Sequence, residues 1–237
     1  MKRLIVGFIF ARGGSQELPG KNLRIVAGKP LIAHAIDVAL QSEFLDRVVV
    51  STDDEKIAQV ARDFGAEIPF MRPKELAQNN SPEWQAWQHA IRALKEKDNG
   101  REVDVFVSIP TTAPLRAVED VDNAIHAFMQ SDADIVITAK NASRHPSFNM
   151  VTLDNQNNAT LVLPLERIFA NRQDAPTVYD MTTVAYVASS KFIMESKAIF
   201  EGNVKAVLIP EERALDIDSE FDLRLAECLM ANGMKAE

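Results

Sequence analysis

An open, mostly parallel α/β sheet with helices on both faces is the fold this sequence predicts, and three observations predict it. The continuous apolar run Leu4–Phe10 reads as a strand buried on both faces, Val48–Val50 as a short strand and Val103–Ile109 as another buried strand. Stretches with helical apolar spacing lie between them, so strand and helix alternate along the chain. The 237 residues, 46% hydrophobic and 25% charged, suffice for one sizeable soluble core.

In order, Leu4–Phe10 predicts the first strand and Ala11–Asn22 a Gly- and Pro-bearing loop. Pro30 opens a helix whose apolar stripe runs Leu31, Ile32, Ala35, Ile36, Ala39 and Leu40. Val48–Val50 is the second strand, Asp54–Phe64 a helix and Glu67–Phe70 a third strand. Ser81-Pro82-Glu83 reads as a helix start, with Ser81 as cap, and Trp84, Trp87, Ile91 and Leu94 pack on its inner face. Strand Val103–Ile109 leads into Pro110-Thr-Thr-Ala-Pro-Leu-Arg116. A helix from Val118 to Gln130 and a strand at Asp134–Thr138 follow.

The alternation then breaks. Residues 140–183 read as a β-rich insertion, with a hairpin formed by Phe148–Leu153, a turn at Asp154–Asn158, and Thr160–Leu163. A lone hairpin cannot bury its own apolar side chains, so this lobe is expected at a subunit interface. Val184–Ala188 and Val204–Ile209 return to strand character, and Ser219–Met230 is the last helix. One domain is expected over 1–237.

Composition excludes several functions. A net charge of −8 gives no basic face for long nucleic acid. The single cysteine, Cys228, allows no internal disulfide and reads as core filler. The apolar N-terminal run is too short for a leader, and no stretch is long enough to span a bilayer, so the cytoplasm is the expected compartment.

Ligands of open α/β sheets sit beyond the carboxyl ends of strands, which draws attention to the first loop. Its glycines let backbone N–H groups approach an anion, and Arg12 and Lys21 add positive charge, a combination suited to a triphosphate. A solvated turn with two exposed basic residues fits the spacing equally well, and neither a Walker A loop nor GxGxxG is present. Near the other end, Asp216 and Asp218 are two apart. In an extended segment both point one way, a natural site for a hard cation such as Mg²⁺. Taken alone, Asp218 fits a helix cap as well. His34, His89 and His126 lie on helices and read as structural; His145, beside Arg144, starts the insertion.

Five stretches agree, in order and spacing, with one family. Ala11-Arg-Gly-Gly-Ser15 with Leu18-Pro-Gly-Lys-Asn22, Val50-Ser-Thr-Asp53, Arg72-Pro-Lys-Glu-Leu-Ala77, Pro114-Leu-Arg116 and Leu215-Asp-Ile-Asp218 resemble the acylneuraminate cytidylyltransferases, the CMP-sialic acid synthetases of the sugar nucleotidyltransferase superfamily. The resemblance implies a Rossmann-like α/β fold, CTP, Mg²⁺ and a homodimer formed through the inserted lobe. It implies that the anomeric hydroxyl of an acidic 2-ulosonic sugar such as N-acylneuraminate attacks the α-phosphorus of CTP and pyrophosphate leaves. Kdo, its 8-amino analogue, legionaminate and pseudaminate are alternative sugars.

By the same resemblance Arg12 and Lys21 hold the triphosphate, with Ala11, Gly13, Gly14 and Ser15 around it. Asn22, Arg72, Ser81 and Pro110 line the nucleotide pocket, and Asp216 and Asp218 hold the metal. A sugar carboxylate calls for Arg116, Arg144 or Arg172, and Gln173, Tyr179 and Thr182 offer hydrogen bonds to the remaining hydroxyls. Gln16-Glu17 stands where the family often carries a basic residue. That departure fits an alternative of another class, a nucleotide-sugar-binding module without turnover; intact Arg12, Lys21, Asp216 and Asp218 oppose it.

Overall fold

The structure, a computed structural model, describes residues 2–15, 18–164 and 175–231. In chain order it contains β1 (Ile5–Phe10), a small antiparallel pair β2 (Ile25–Val26) and β3 (Lys29–Pro30), α1 (Leu31–Gln41), β4 (Arg47–Ser51) and α2 (Glu55–Asp63). Next come α3 (Glu83–Lys97), β5 (Val105–Ser108), α4 (Val118–Met129), β6 (Ile135–Asn141), and the hairpin β7 (Val151–Leu153) and β8 (Ala159–Leu161). The chain closes with β9 (Tyr179–Ser189), α5 (Ser190–Glu195), β10 (Val204–Leu208) and α6 (Glu220–Ala231).

Six strands form one sheet in the order β10-β6-β9-β5-β1-β4. All neighbours run parallel except β9, which is antiparallel to both β5 and β6. The period-2 alternation of the strands supplies two cores. Ile5 and Ile9 of β1 face α1, α2 and α4. Val6 and Phe8 face α3 and α5, where Trp84, Trp87, Phe106 and Phe192 pack. The buried Trp84 indole N–H donates to the Ser196 carbonyl at 2.7 Å, which removes the cost of burying it. Both tryptophans are core residues, as their helical spacing predicts.

Several local expectations are corrected. Glu67–Phe70 contributes a single bridge, Val49 to Glu67, and no strand. Ser81 does not cap α3: Pro82 precedes the first helical residue, and the Ser81 hydroxyl donates to the Glu75 carbonyl at 2.7 Å. Cys228 is exposed rather than core filler. The last strand before α5 is longer than its apolar segment, because its first residues, Tyr179–Met181, are exposed.

The path of the chain creates the site. From β1 it crosses through α1 to β4 on one side; from there it returns through α2 and α3 to β5 on the other. Strand order therefore reverses at β1, and a crevice opens beyond the carboxyl ends of β1 and β5.

Candidate active site

The loop after β1 is laid tightly against the turn after β4. The Gly13 N–H donates to Asp53 Oδ1 at 3.0 Å. A Cβ on Gly13 would stand 2.9 Å from Asp54 Oδ2 and 3.0 Å from Asp54 Cβ, so only glycine allows this approach. Asp54 is itself committed, capping α2 by accepting from the N–H groups of Lys56 and Ile57. Asn22 joins the loop to the end of β5. Its amide donates to the Arg12 carbonyl at 3.0 Å and accepts from the Thr111 hydroxyl at 2.7 Å.

These contacts border a cleft of about 390 Å³. Arg12, Ser15, Lys21 and Asn22 line one wall; Arg72, Gln78, Asn79, Ser81 and Glu83 line the other; Pro110, Thr111, Thr112, Thr183 and Tyr186 form the floor. Arg12 also spans the cleft mouth, donating to the Gln78 carbonyl at 3.1 Å. Arg72 is buried, donates through Nε to the Ser51 hydroxyl at 3.2 Å and through Nη2 to the Ser51 carbonyl, and lies 5.5 Å from the centre of the Phe10 ring. Burial pushes its guanidinium down to about 10, with Asp53 and Glu83 opposing. It remains a cation at neutral pH. Burial likewise pushes the Tyr186 phenol up to about 12, so it is a neutral hydroxyl on the floor.

The acidic pair sits where α6 begins. Ile217, between the two, is fully buried with Leu18, Val26, Leu31 and Leu223, and its N–H donates to the Thr112 carbonyl at 2.8 Å. That anchors the segment and leaves its flanking carboxylates on the other side. Asp216 interacts with the hydroxyls of Thr112 and Thr183, while its Oδ1 is buried without a hydrogen-bond partner. Burial raises the Asp216 carboxyl, with Asp218 adding to the rise and the two threonines and Lys21 opposing it. Asp218 is more exposed. The Lys21 ammonium donates to Asp218 Oδ1 at 3.1 Å and to the Ile217 carbonyl at 2.9 Å.

The helix-cap alternative for Asp218 is settled by its neighbours. Ser219 Oγ accepts from the Asp222 N–H at 3.3 Å, and Asp222 Oδ2 accepts from the Ser219 N–H at 2.7 Å. This is a reciprocal cap, and it leaves the Asp218 carboxylate out of the capping, with Lys21 as its partner. The unpartnered Asp216 oxygen and the Asp218 carboxylate are the hard oxygen donors that suit a divalent cation. Among the described residues no set of three or more His, Cys, Asp or Glu gathers to hold one, so substrate oxygens would have to complete its shell.

The profile of the cytidylyltransferase family matches residues 6–217. The chain belongs to the cytidylyltransferase family. It is 34% identical to a CMP-N,N'-diacetyllegionaminic acid synthase of Legionella pneumophila, over 98% of both chains. It is 32% identical to a pseudaminic acid cytidylyltransferase of Campylobacter jejuni, over 97% of this chain and 96% of the relative. A CMP:2-keto-3-deoxy-manno-octonic acid synthetase solved with CTP shares the fold, with a TM-score of 0.72 at 18% identity, covering 98% of this chain and 99% of that one.

In this cytidylyltransferase the expected nucleotide residues divide. Arg12, Ser15, Lys21, Asn22, Arg72, Ser81 and Pro110 all line the cleft. Ala11 is fully buried in the core below the loop, and Gly14 opens onto a shallow depression beside Ala77–Asn80. The sugar residues fare differently. Arg116 is sealed inside, its Nε donating to the Ala113 carbonyl at 2.9 Å, Nη1 to Val184 at 2.8 Å and Nη2 to Pro110. Burial pushes its guanidinium down to about 9. Its hydrogen-bonding capacity goes to backbone, which corrects the expectation that it receives a sugar carboxylate.

Thr182 is corrected as well. It is buried and donates to the Thr138 hydroxyl at 2.8 Å, because β6 and β9 lose register after Ile137, and Thr183 turns to the cleft instead. Arg144 and Tyr179 are exposed and lie outside the cleft lining. Gln173, Arg172 and the pair Gln16-Glu17 lie outside the described residues. His145 is buried: its Nδ1 accepts from the Ser147 N–H at 3.1 Å, and its Nε2 meets the Pro176 carbonyl at 3.1 Å. Sequence reasoning missed Thr112, Thr183, Tyr186 and Glu83. The position of Thr111-Thr112 just past a strand end could have flagged them; nothing in the sequence announces the register change that turns Thr183.

Proposed function

We propose that this enzyme transfers CMP from CTP to the anomeric hydroxyl of an acidic 2-ulosonic sugar, with legionaminate or pseudaminate ahead of N-acylneuraminate and Kdo. The observation that carries the reading is the meeting of Lys21, Asp216 and Asp218 at one end of a cleft bordered by Arg12. Four supports agree. The cleft has cations for a triphosphate and a polar floor for hydroxyl groups; the carboxylate pair adjoins it through the lining residues Lys21, Thr112 and Thr183; and relatives are named for these two sugars.

Arg12 and Lys21 neutralise the triphosphate and orient it. Asn22 is held by Arg12 and Thr111, so the wall it forms is rigid before substrate arrives. Asp216 and Asp218 would hold Mg²⁺, which when bound supplies charge stabilisation to the phosphoryl oxygens. Thr112 and Thr183 stand beside Asp216 and favour its charged form, and its partnerless Oδ1 would be a ligand oxygen for the cation. The sugar enters over Thr183 and Tyr186.

The reading includes a homodimer. Val151, Leu153, Val162 and Leu163 of the hairpin lobe are exposed, and so are Tyr179 and Met181 beside it. Such a patch on a two-stranded hairpin is better explained by a second copy than by solvent. The cytoplasm, where CTP is made, is the proposed location; among the described residues no helix is long and apolar enough to cross a membrane.

The test is pyrophosphate release by purified protein with CTP, Mg²⁺ and a panel of ulosonic acids. Release with legionaminate or pseudaminate and not with UTP is expected. No release with any acid would reject the sugar class, and a preference for UTP or ATP would reject the base.

A further inference from the structure

We infer that Lys21 is a placeholder for the divalent cation: in the nucleotide-free enzyme its ammonium occupies the acidic pair, and the triphosphate must draw it away before the metal can settle. This rests on the proposed metal role of Asp216 and Asp218.

Four observations lead there. The Lys21 ammonium is held by Asp218 Oδ1 at 3.1 Å and the Ile217 carbonyl at 2.9 Å, both in the segment that carries the pair. Asp216, two residues from Asp218, keeps a buried Oδ1 without a hydrogen-bond partner, so the ammonium is held at one member of the pair while the other stands open. The side chain is only 14% exposed, with its backbone N–H tied to the Leu18 carbonyl at 3.0 Å, so its reach is set by the fold. And the same residue lines the nucleotide cleft.

One ammonium thus faces two anionic tasks. While it neutralises Asp218, a divalent ion entering beside Asp216 meets a like charge in a partly desolvated place. A triphosphate in the cleft offers Lys21 several oxygens in exchange for one carboxylate. The move uncovers Asp218, and the phosphates supply the ligands that the described residues lack. Metal and nucleotide therefore bind with positive coupling. Since coupling is reciprocal, weak metal binding without nucleotide follows from it. The arrangement keeps the carboxylates neutralised and ordered without committing a metal ion to an empty cleft.

The experiment is Mn²⁺ titration of the nucleotide-free protein, followed by the free-ion paramagnetic resonance signal, for the wild type, Lys21→Met, Lys21→Gln, Asp218→Asn and Lys21→Met/Asp218→Asn. Circular dichroism and melting temperature confirm that each variant is folded. The expected result is weak binding to the wild type, tighter by about tenfold in both Lys21 variants, from removal of the like charge, and weak again in the double variant. Asp218-dependent binding that is equal in the wild type and the Lys21 variants would overturn the placeholder and leave the metal role standing. No Asp218-dependent binding in any variant, with or without a non-hydrolysable CTP analogue, would overturn both.

Discussion

Ser219 and Asp222 cap α6 for each other, the serine hydroxyl accepting from the Asp222 N–H at 3.3 Å and the Asp222 carboxylate accepting from the Ser219 N–H at 2.7 Å. The helix start and the acidic pair are thereby separate devices, although they adjoin in sequence. Ser219→Ala should cost about 1 kcal/mol of stability, the usual worth of a cap, and leave most turnover. Asp218→Asn should do the opposite, removing most turnover with a melting temperature close to wild type. Denaturant unfolding and pyrophosphate release, measured on both variants, separate the two; similar losses of activity would merge the roles.

Arg116 is a brace. Replacing it with Met leaves the carbonyls of Ala113, Pro110 and Val184 without their donor. The expected cost is about 3 kcal/mol, typical of buried polar partners left unpaired. Urea unfolding should show it as a lower midpoint with an unchanged slope. A variant as stable as wild type, with only the sugar KM raised, would restore Arg116 to the sugar site.

Gly13→Ala tests the seam between the first loop and α2. The new methyl would meet Asp54 at 2.9 Å, so either the loop or the cap must shift. A loss of about 1–3 kcal/mol is expected from overpacking, together with a raised KM for CTP. The KM for the sugar should change little.

Acid stability should depend on His34. It is buried, with Nε2 2.9 Å from the Val26 carbonyl, and burial lowers its ring below the ordinary value despite that bond. A depressed value means the folded state binds the proton less readily than the unfolded chain. The stability is therefore complete above the ordinary histidine value of about 6.5 and is lost as pH falls through the lowered one. His34→Gln keeps a donor for Val26 but cannot charge. Its melting temperature should decline less than that of wild type between about pH 8 and about pH 5. His89, also lowered by burial, keeps part of the slope in both proteins. Parallel curves would contradict the assignment.

The hairpin patch gives a fifth test. Leu153→Asp with Leu163→Asp should convert the dimer to a monomer in light scattering, since both side chains are exposed in the single chain and a partner would have to bury a charge. A wild type that is already monomeric would remove the dimer from the reading.

The sequence disclosed the sheet because its strands are buried on both faces and are largely apolar, unbroken in β1 and interrupted only by Ser108 in β5. The first loop and the acidic pair were ambiguous from residue type and spacing, which a solvated turn and a helix cap fit as well; only the ordered set of family stretches singled them out. Ser81, Arg116 and Thr182 were misplaced because each has a local signature that tertiary contacts override. Ser81 precedes a proline at a helix start yet bonds backwards to Glu75. Arg116 looks like a free cation in a polar loop, but three carbonyls converge on it, from 3, 6 and 68 residues away along the chain. Thr182 and Thr183 differ by one position, and only the pairing of β6 with β9 decides which one faces the cleft.

That pairing also insulates. The Thr138 hydroxyl accepts from the Ala185 N–H at 3.2 Å and from the Thr182 hydroxyl at 2.8 Å, pinning β9 on both sides of its irregularity. The described hairpin of the lobe, Val151–Leu153 with Ala159–Leu161, lies outside this pin. A residue gained or lost in the lobe would ordinarily slide β9 and turn its side chains over. Here the slide stops at Thr138, so lobes of different length can be grafted onto the same sheet while Thr183 and Tyr186 keep their places on the cleft floor.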